Sequence, residues 1–195
     1  MTRLSSIFAL VLMLLLGLML GIWVTSRVLA SSRIPGALRY GPWFTWHKAG
    51  SPDADPYSLA VFARRGDIPM APAEGIALFA NRDSAGQSLS GTCHYEVSGV
   101  FPQARAWTLT AYRSDGRLMA VPSGRSAFTS AEALLADGQV KISLSPQPQP
   151  GNWLPLLAGE RIVLALRFYE TPLSAVASVL DGARLPVLKR IGCQS

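Results

Sequence analysis

Hydrophobic positions along this chain follow three patterns in succession. Ile7 to Val24, IFALVLMLLLGLMLGIWV, is an unbroken apolar run with no charge and no proline. As a helix its 18 residues would span about 27 Å, close to the hydrocarbon thickness of a bilayer. Residues 31–54 then lose all periodicity and hold Pro35, Gly36, Gly41, Pro42, Gly50 and Pro52, which reads as an irregular lead-in. A short helical pattern follows. Asp55 suits the N-cap, Pro56 the first turn and Gly66 the C′ position, while Arg64 and Arg65 complement the helix dipole. Leu59, Phe62 and Ala63 fall on one side and are predicted to be buried.

From Gly75 onward the period changes to two, the period of half-buried strands. Ile76–Ala80 is the first strand, followed by a turn through Asn81–Gly86. Cys93, Tyr95 and Val97 alternate with His94 and Glu96. Trp107, Leu109 and Ala111 alternate with Thr108, Thr110 and Tyr112. Asp115-Gly116 then predicts a hairpin with Arg117–Val121 returning along the preceding strand. Thr129 and Glu132 fit a capping box for a short helix through Leu134 and Leu135, stopped by Asp137-Gly138. Val140, Ile142 and Leu144 alternate with Lys141, Ser143 and Ser145. Arg161–Tyr169, RIVLALRFY, is the most apolar strand and is predicted to lie centrally. Many short strands with turns between them predict a mainly β, antiparallel sandwich, jelly-roll-like, with one or two short helices. The organisation read from these patterns is a membrane helix over 1–30, a lead-in over 31–54 and one sandwich domain over 55–195.

Two readings fit the apolar run. It is an uncleaved signal anchor, inserted in the lipid bilayer through residues 7–24, or a signal peptide cleaved after Val28-Leu29-Ala30. Its length exceeds the about 7–15 residues of a usual signal core, which favours the anchor. Arg27, Arg33 and Arg39 behind the run favour a cytoplasmic domain by basic-residue counting. The signal-like layout and the cysteines favour export. The expectation is a single-pass protein of the bacterial inner membrane whose domain faces the periplasm. The net charge of +6 changes little. Residues 1–39 hold four arginines and no acid, so the excess flanks the membrane segment. Beyond them fourteen basic and twelve acidic residues alternate, with no basic stripe interleaved with aromatics, which excludes a nucleic-acid partner. Cys93 and Cys193 are the only cysteines, 100 residues apart and outside any CxxC motif. In an exported domain such a pair predicts a disulfide; in a reduced compartment the same residues would be two thiols.

Candidate chemistry is sparse. His47 and His94 lack carboxylates at ligand spacing, so no metal site is expected, and no cofactor fingerprint or nucleophile elbow occurs. Glu96 and Asp115 are a carboxylate pair that neighbouring strands could bring into a groove, as glycosidases require. Each also has a simpler place, on an outward strand face and in a turn. Gly151-Asn152-Trp153-Leu154-Pro155 presents either a ligand loop or a corner where Trp153 caps the core and Asn152 ties the backbone. Arg167 interrupts the apolar strand and needs a partner, either Glu170, Asp83 or an anionic ligand. Asn152, Trp153, Arg167 and Tyr112 are therefore the candidate ligand-binding residues; no catalytic residue is assigned.

Several stretches stand in a familiar order: Trp107-Thr108-Leu109-Thr110-Ala111-Tyr112, Asp137-Gly138, Pro150-Gly151-Asn152-Trp153-Leu154-Pro155 and Leu166-Arg167-Phe168-Tyr169. Upstream, Asp83 to Gly91 forms a D-x-x-G-x-x-L-x-G turn. Over residues 57–172 the chain resembles the bacterial "domain of unknown function 1214" family. The resemblance implies a jelly-roll-like sandwich and no agreed reaction, cofactor or catalytic residue. It also implies a partner, since larger relatives carry a second domain, the "domain of unknown function 1254". A separate protein of that kind, or a second copy of this chain, is the expected partner. The expected function is that of a membrane-anchored envelope protein whose sandwich is a binding module. The alternative is a glycan-acting hydrolase or lyase working in a groove of the sandwich.

Overall fold

A computed structural model describes residues 2–30, 36–46, 48–136, 138–174, 180 and 184–193. His47 and Asp137, both named above, lie outside the described residues. The chain forms two units, Met1–Pro35 and Gly36–Ser195, each with its own internal contacts. The first is α1, Thr2–Ala30. Its stretch Ser5–Leu29 is long and apolar enough to cross a membrane, as an anchor or a signal sequence would be. Two side-chain contacts are made within its C-terminal part. Ser26 Oγ donates to the Ile22 carbonyl at 2.8 Å, so the hydroxyl is satisfied within the helix. The Arg27 guanidinium lies 5.3 Å from the Trp23 ring centroid, one turn away.

The second unit is a sandwich of two sheets. The first has the order β1 (Leu38–Tyr40), β2 (Trp43–Thr45), β3 (Gly75–Ala80), β10 (Ile162–Tyr169), β5 (Ala106–Arg113) and β6 (Ala127–Thr129). The second has the order β11 (Val187–Cys193), β4 (Cys93–Gly99), β8 (Gln139–Ser145) and β7 (Leu135–Ala136), with β9 (Asn152–Pro155) pairing β8 in parallel. All other pairings are antiparallel. The inward positions of both sheets meet in one core. Leu78, Leu109, Leu164, Leu166 and Phe168 from the first sheet pack against Tyr95, Val97, Ile142, Leu144 and Leu188 from the second. The apolar strand is β10, and it is central, flanked by β3 and β5.

A second layer covers part of the outer face of the first sheet. It is built by α2, Pro56–Arg65. Asp55 Oδ1 accepts from the backbone N–H groups of Tyr57 and Ser58, both at 3.0 Å. Gly66 closes the helix at φ 67°, a conformation that favours glycine. Val61 and Phe62 turn toward the sheet, while Leu59 and Ala63 are exposed, so the buried side is rotated from the predicted one. The reason is the layer's content: Phe44, Trp46 and Phe79 form the platform. Trp46 stands edge-on to both Phe44 and Phe62, with ring centroids 5.5 Å apart in each pair.

Three further expectations change. The lead-in is not irregular throughout, since β1 and β2 form a hairpin within it and Phe44 pairs with Phe79 of β3. Trp43, Phe44, Thr45 and Trp46 are buried, which makes this segment part of the sandwich. The return from Asp115-Gly116 is partial. Tyr112 bridges Leu118 and the Met119 amide donates to the Ala111 carbonyl, after which β6 takes the β5 edge. Among the described residues the short helix predicted through Leu134 and Leu135 is absent. Thr129 Oγ1 donates to Glu132 Oε1 at 2.9 Å and the Glu132 amide to the Thr129 carbonyl, which closes a turn between β6 and β7. The same capping-box residues thus serve a turn, because strand pairing on both sides leaves no room for helix.

Candidate ligand-binding surfaces

The Asp83–Gly91 turn builds the most buried ionic site of the sandwich. Asp83 Oδ1 accepts from the amides of Ala85 (3.1 Å) and Gln87 (2.8 Å). Its Oδ2 lies 3.0 Å from Arg190 Nε of β11, with the carboxylate side chain only 1% exposed. Arg190 also donates to Gln87 Oε1 and the Ser88 carbonyl, both at 2.7 Å, and lies over the Tyr95 ring at 5.4 Å. Gly91 has no room for a side chain, because an added Cβ would fall 1.8 Å from the Leu157 carbonyl oxygen. Leu89 is buried in the core. Every specified position of the D-x-x-G-x-x-L-x-G turn therefore has a packing reason, except that Gly86, at φ 82°, is set by backbone conformation alone. On the same strand, Cys193 is bonded to Cys93, its direct partner in the β11–β4 register, with Cα atoms 3.9 Å apart. The predicted disulfide is present and holds β11 onto β4.

Asn152 is a tie between three segments. Its Oδ1 accepts from the Leu134 amide at 2.8 Å, and its Nδ2 donates to the carbonyls of Leu134 (2.7 Å) and Lys141 (2.9 Å). Its side-chain amide is thus occupied in joining the β6–β7 loop to β8 and β9. Trp153 Nε1 donates to the Ser145 carbonyl at 3.0 Å. Asn152 thus ties the backbone as the corner reading expects, whereas Trp153, half-buried, alternates with the core residue Leu154 and does not cap the core.

Arg167 and Tyr112 come together on the outer face of the first sheet, on the adjacent strands β10 and β5. Arg167 Nη1 donates to the Tyr112 hydroxyl at 3.2 Å, and the guanidinium lies 5.5 Å from the Tyr112 ring centroid. The pair lies diagonally across the row of Ala165 and Thr110, which face outward and are nevertheless buried. Neither partner proposed from sequence meets Arg167. Glu170 accepts from Arg105 Nη1 at 2.7 Å, and Asp83 is taken by Arg190. Among the described residues Arg167 makes no ion pair.

Tyr112 also borders a shallow depression shared with Arg65, Asp67, Phe79, Arg113, Ser114, Gly116 and Val163. Arg65 reaches it from the last turn of α2, its guanidinium 5.9 Å from the Phe79 ring centroid. Burial holds the Arg65 pKa below the ordinary arginine value, opposed by the charge of Asp67. Arg113 lies 3.4 Å from Glu160 and 3.7 Å from Asp115, yet its buried Nε has no hydrogen-bond partner. Sequence reasoning missed Arg65 and Arg113 as neighbours of Tyr112. Arg65 carries a local role at the helix end, and Arg113 ends an alternating strand, so neither stands out.

A larger, more open space lies elsewhere. A groove of about 420 Å³ is lined by Tyr40, Gly41, Pro42, Trp43, Ser84, Leu180, Leu185, Pro186 and Val187. Its floor is fixed by Trp43, whose Nε1 donates to the Pro186 carbonyl at 2.7 Å. Val187 is half exposed at its rim.

The carboxylates considered for glycosidase chemistry lie apart. Glu96 faces outward on β4 of the second sheet, and Asp115 lies in the turn after β5 of the first. Lys141 Nζ is 2.7 Å from Glu96 Oε2, and this hydrogen bond holds the Glu96 pKa below its ordinary value, with burial opposing and Ser98 and Lys189 contributing. Asp115 is held by Arg113 and Arg117. Among the described residues no group of three His, Cys, Asp or Glu side chains is placed to hold a metal.

Comparison with known proteins adds a family and a fold. The sequence model of a family described as "Protein of unknown function (DUF1214)" matches residues 74–173, just over half of the chain, from β3 to the 3-10 turn at Pro172–Ser174. No significant match is found among curated proteins. Among solved structures, the chain is similar to the VPA0106 protein of Vibrio parahaemolyticus, with a TM-score of 0.59 and 23% identity over 74% of this chain and 39% of that one. An uncharacterised protein from Burkholderia cenocepacia gives a TM-score of 0.47 at 16% identity, over 88% of this chain and 40% of that one. The chain spans about two fifths of the length of these structures. The first likeness concerns the fold.

Proposed function

The chain belongs to the DUF1214 family, a family of unknown function, and from that premise we propose that it is a membrane-anchored binding module of the bacterial envelope. In this reading α1 is retained as a single-pass anchor in the inner membrane, and the sandwich stands on the periplasmic side. The disulfide between Cys93 and Cys193 supports that side, because such bonds persist in oxidising compartments.

The observation that carries the binding role is the groove beside Trp43. It is concave and mostly apolar, within the size range of sites that receive a ligand or an anchoring side chain. Its occupant in this proposal is an apolar segment of a partner protein. That partner is a separate chain resembling the "domain of unknown function 1254", or a second copy of this one. Anchoring assists the encounter, since two partners confined to one membrane surface meet at raised effective concentration.

Purification in mild detergent followed by mass measurement tests the reading. The expected result is a complex of defined stoichiometry that Val187→Asp at the groove rim dissociates. A monomer without a co-purifying protein overturns it. A reporter active only outside the cytoplasm, fused after Ser195, is expected to be active; activity of a cytoplasm-only reporter there reverses the orientation.

A further inference from the structure

A guanidinium in a half-buried position normally has a carboxylate or several carbonyl partners, because its five N–H donors are costly to leave unsatisfied. Arg190 meets that expectation and Arg167 does not. Arg167 spends one donor on the Tyr112 hydroxyl and makes no ion pair among the described residues. Its position is held firmly, by the ring of Tyr112 on one side and the ladder of β10 and β5 beneath. A cation oriented in this way, with its remaining donors toward the outer face, is prepared for an anion rather than neutralised by the fold.

The surroundings extend the argument. On the far side of Tyr112 the depression brings two more arginines, Arg65 and Arg113. Asp67, Asp115 and Glu160 balance the charge of these two arginines, which leaves Arg167 as the cation of the strip without an acid beside it. Burial disfavours the charged form of Arg65, the effect that a bound anion would reverse. Thr108 and Thr129, paired across β5 and β6, border the strip on the same face; the Thr129 hydroxyl already donates to Glu132. The order along the surface is guanidinium, tyrosine, guanidinium, with hydroxyls at the edge. This strip shares no lining residue with the groove beside Trp43.

We propose that this strip binds an anionic glycan, with a uronate carboxylate on Arg167 and the neighbouring sugar over Tyr112 toward Arg65 and Arg113. A uronate supplies what the strip lacks and uses what it offers. Its planar carboxylate matches the two-pronged donor geometry of arginine. Its hydroxyls match threonine, tyrosine and backbone groups. The shallow, open form of the strip suits an extended chain lying across a sheet.

The test uses the full chain in mild detergent, titrated with trigalacturonate, with a neutral galactose trisaccharide and with triglutamate. Saturable binding of trigalacturonate alone is expected, weakened about tenfold or more by Arg167→Gln. Arg113→Gln is expected to weaken it less. Tyr112→Phe, which removes only the hydroxyl, keeps the ring and serves as a folded control for the position of Arg167; it is expected to weaken binding by a few-fold. Absence of saturable trigalacturonate binding below about 10 mM overturns the proposal. So does binding that survives both arginine substitutions. Equal binding of triglutamate overturns the assignment to a glycan, and equal binding of the neutral trisaccharide overturns the role of the carboxylate.

Discussion

Arg190 and Arg167 make an instructive pair. Each rises from a strand and lies over a tyrosine ring, at 5.4 Å from Tyr95 and 5.5 Å from Tyr112. Beneath the shared geometry the two sites are opposite. Arg190 is enclosed by a buried carboxylate, a glutamine oxygen and a backbone carbonyl, so its charge is consumed by the fold. Arg167 has one hydroxyl. A cation–π contact therefore says little about role on its own. What separates a structural arginine from a recognition arginine is whether a buried acid of the protein balances its charge.

The largest effects should fall on the Arg190 side, where β11 is held by several ties. Replacing Cys93 and Cys193 with serine should lower stability by about 4 kcal/mol, since the bond closes a loop of 100 residues. Denaturant unfolding of oxidised and substituted protein measures this; an unchanged midpoint would mean that β4 pairing alone retains the strand. Arg190→Leu should cost about 3 kcal/mol, because it leaves the Asp83 carboxylate buried without its counter-ion. Arg190→Leu combined with Asp83→Asn should recover part of that loss. Failure of the double variant to do so would show that the amides of Ala85 and Gln87, not Arg190, carry the site.

Arg167→Leu should change stability by no more than about 1 kcal/mol, because it removes a cation–π contact and one hydrogen bond but orphans no acid. A loss as large as that of Arg190→Leu would erase the distinction and make Arg167 structural. The smallest effect is expected at Glu96. Its folded-state pKa is lowered, chiefly by the Lys141 hydrogen bond. Its contribution is therefore present above the unfolded carboxylate range and is lost as pH falls through the lower folded value. Lys141→Gln should lower stability slightly at neutral pH, flatten its fall through that acid window and leave the most acid values unchanged. A profile that is identical in both proteins would remove Glu96 from the account.

Much of this was readable before any fold was known, because it depends on neighbours in sequence. The run Ile7–Val24 determines an apolar helix by composition alone. Asp55, Pro56 and Gly66 bound α2 because capping acts within a turn or two. The alternation at Cys93–Val97 and the apolarity of Arg161–Tyr169 mark a half-buried strand and a central one, since burial on one face or both writes its own period. The lone cysteine pair pointed to the disulfide only together with the expectation of export. Only tertiary structure could decide the rest. The face α2 buries was set by Phe44, Trp46 and Phe79, two of which lie in a segment whose prolines and glycines hid β1 and β2. Thr129 and Glu132 carry a helix-start signature that pairing of β6 and β7 turned into a loop. Asn152 looked available for a ligand until its amide met Leu134 and Lys141. Asp83 found Arg190 across more than a hundred residues, which left Arg167 without the partner that its sequence had suggested. Local caps and periods are short-range physics and survive in the sequence. Charge pairing between distant strands depends on register and topology, which no single stretch of this chain contains.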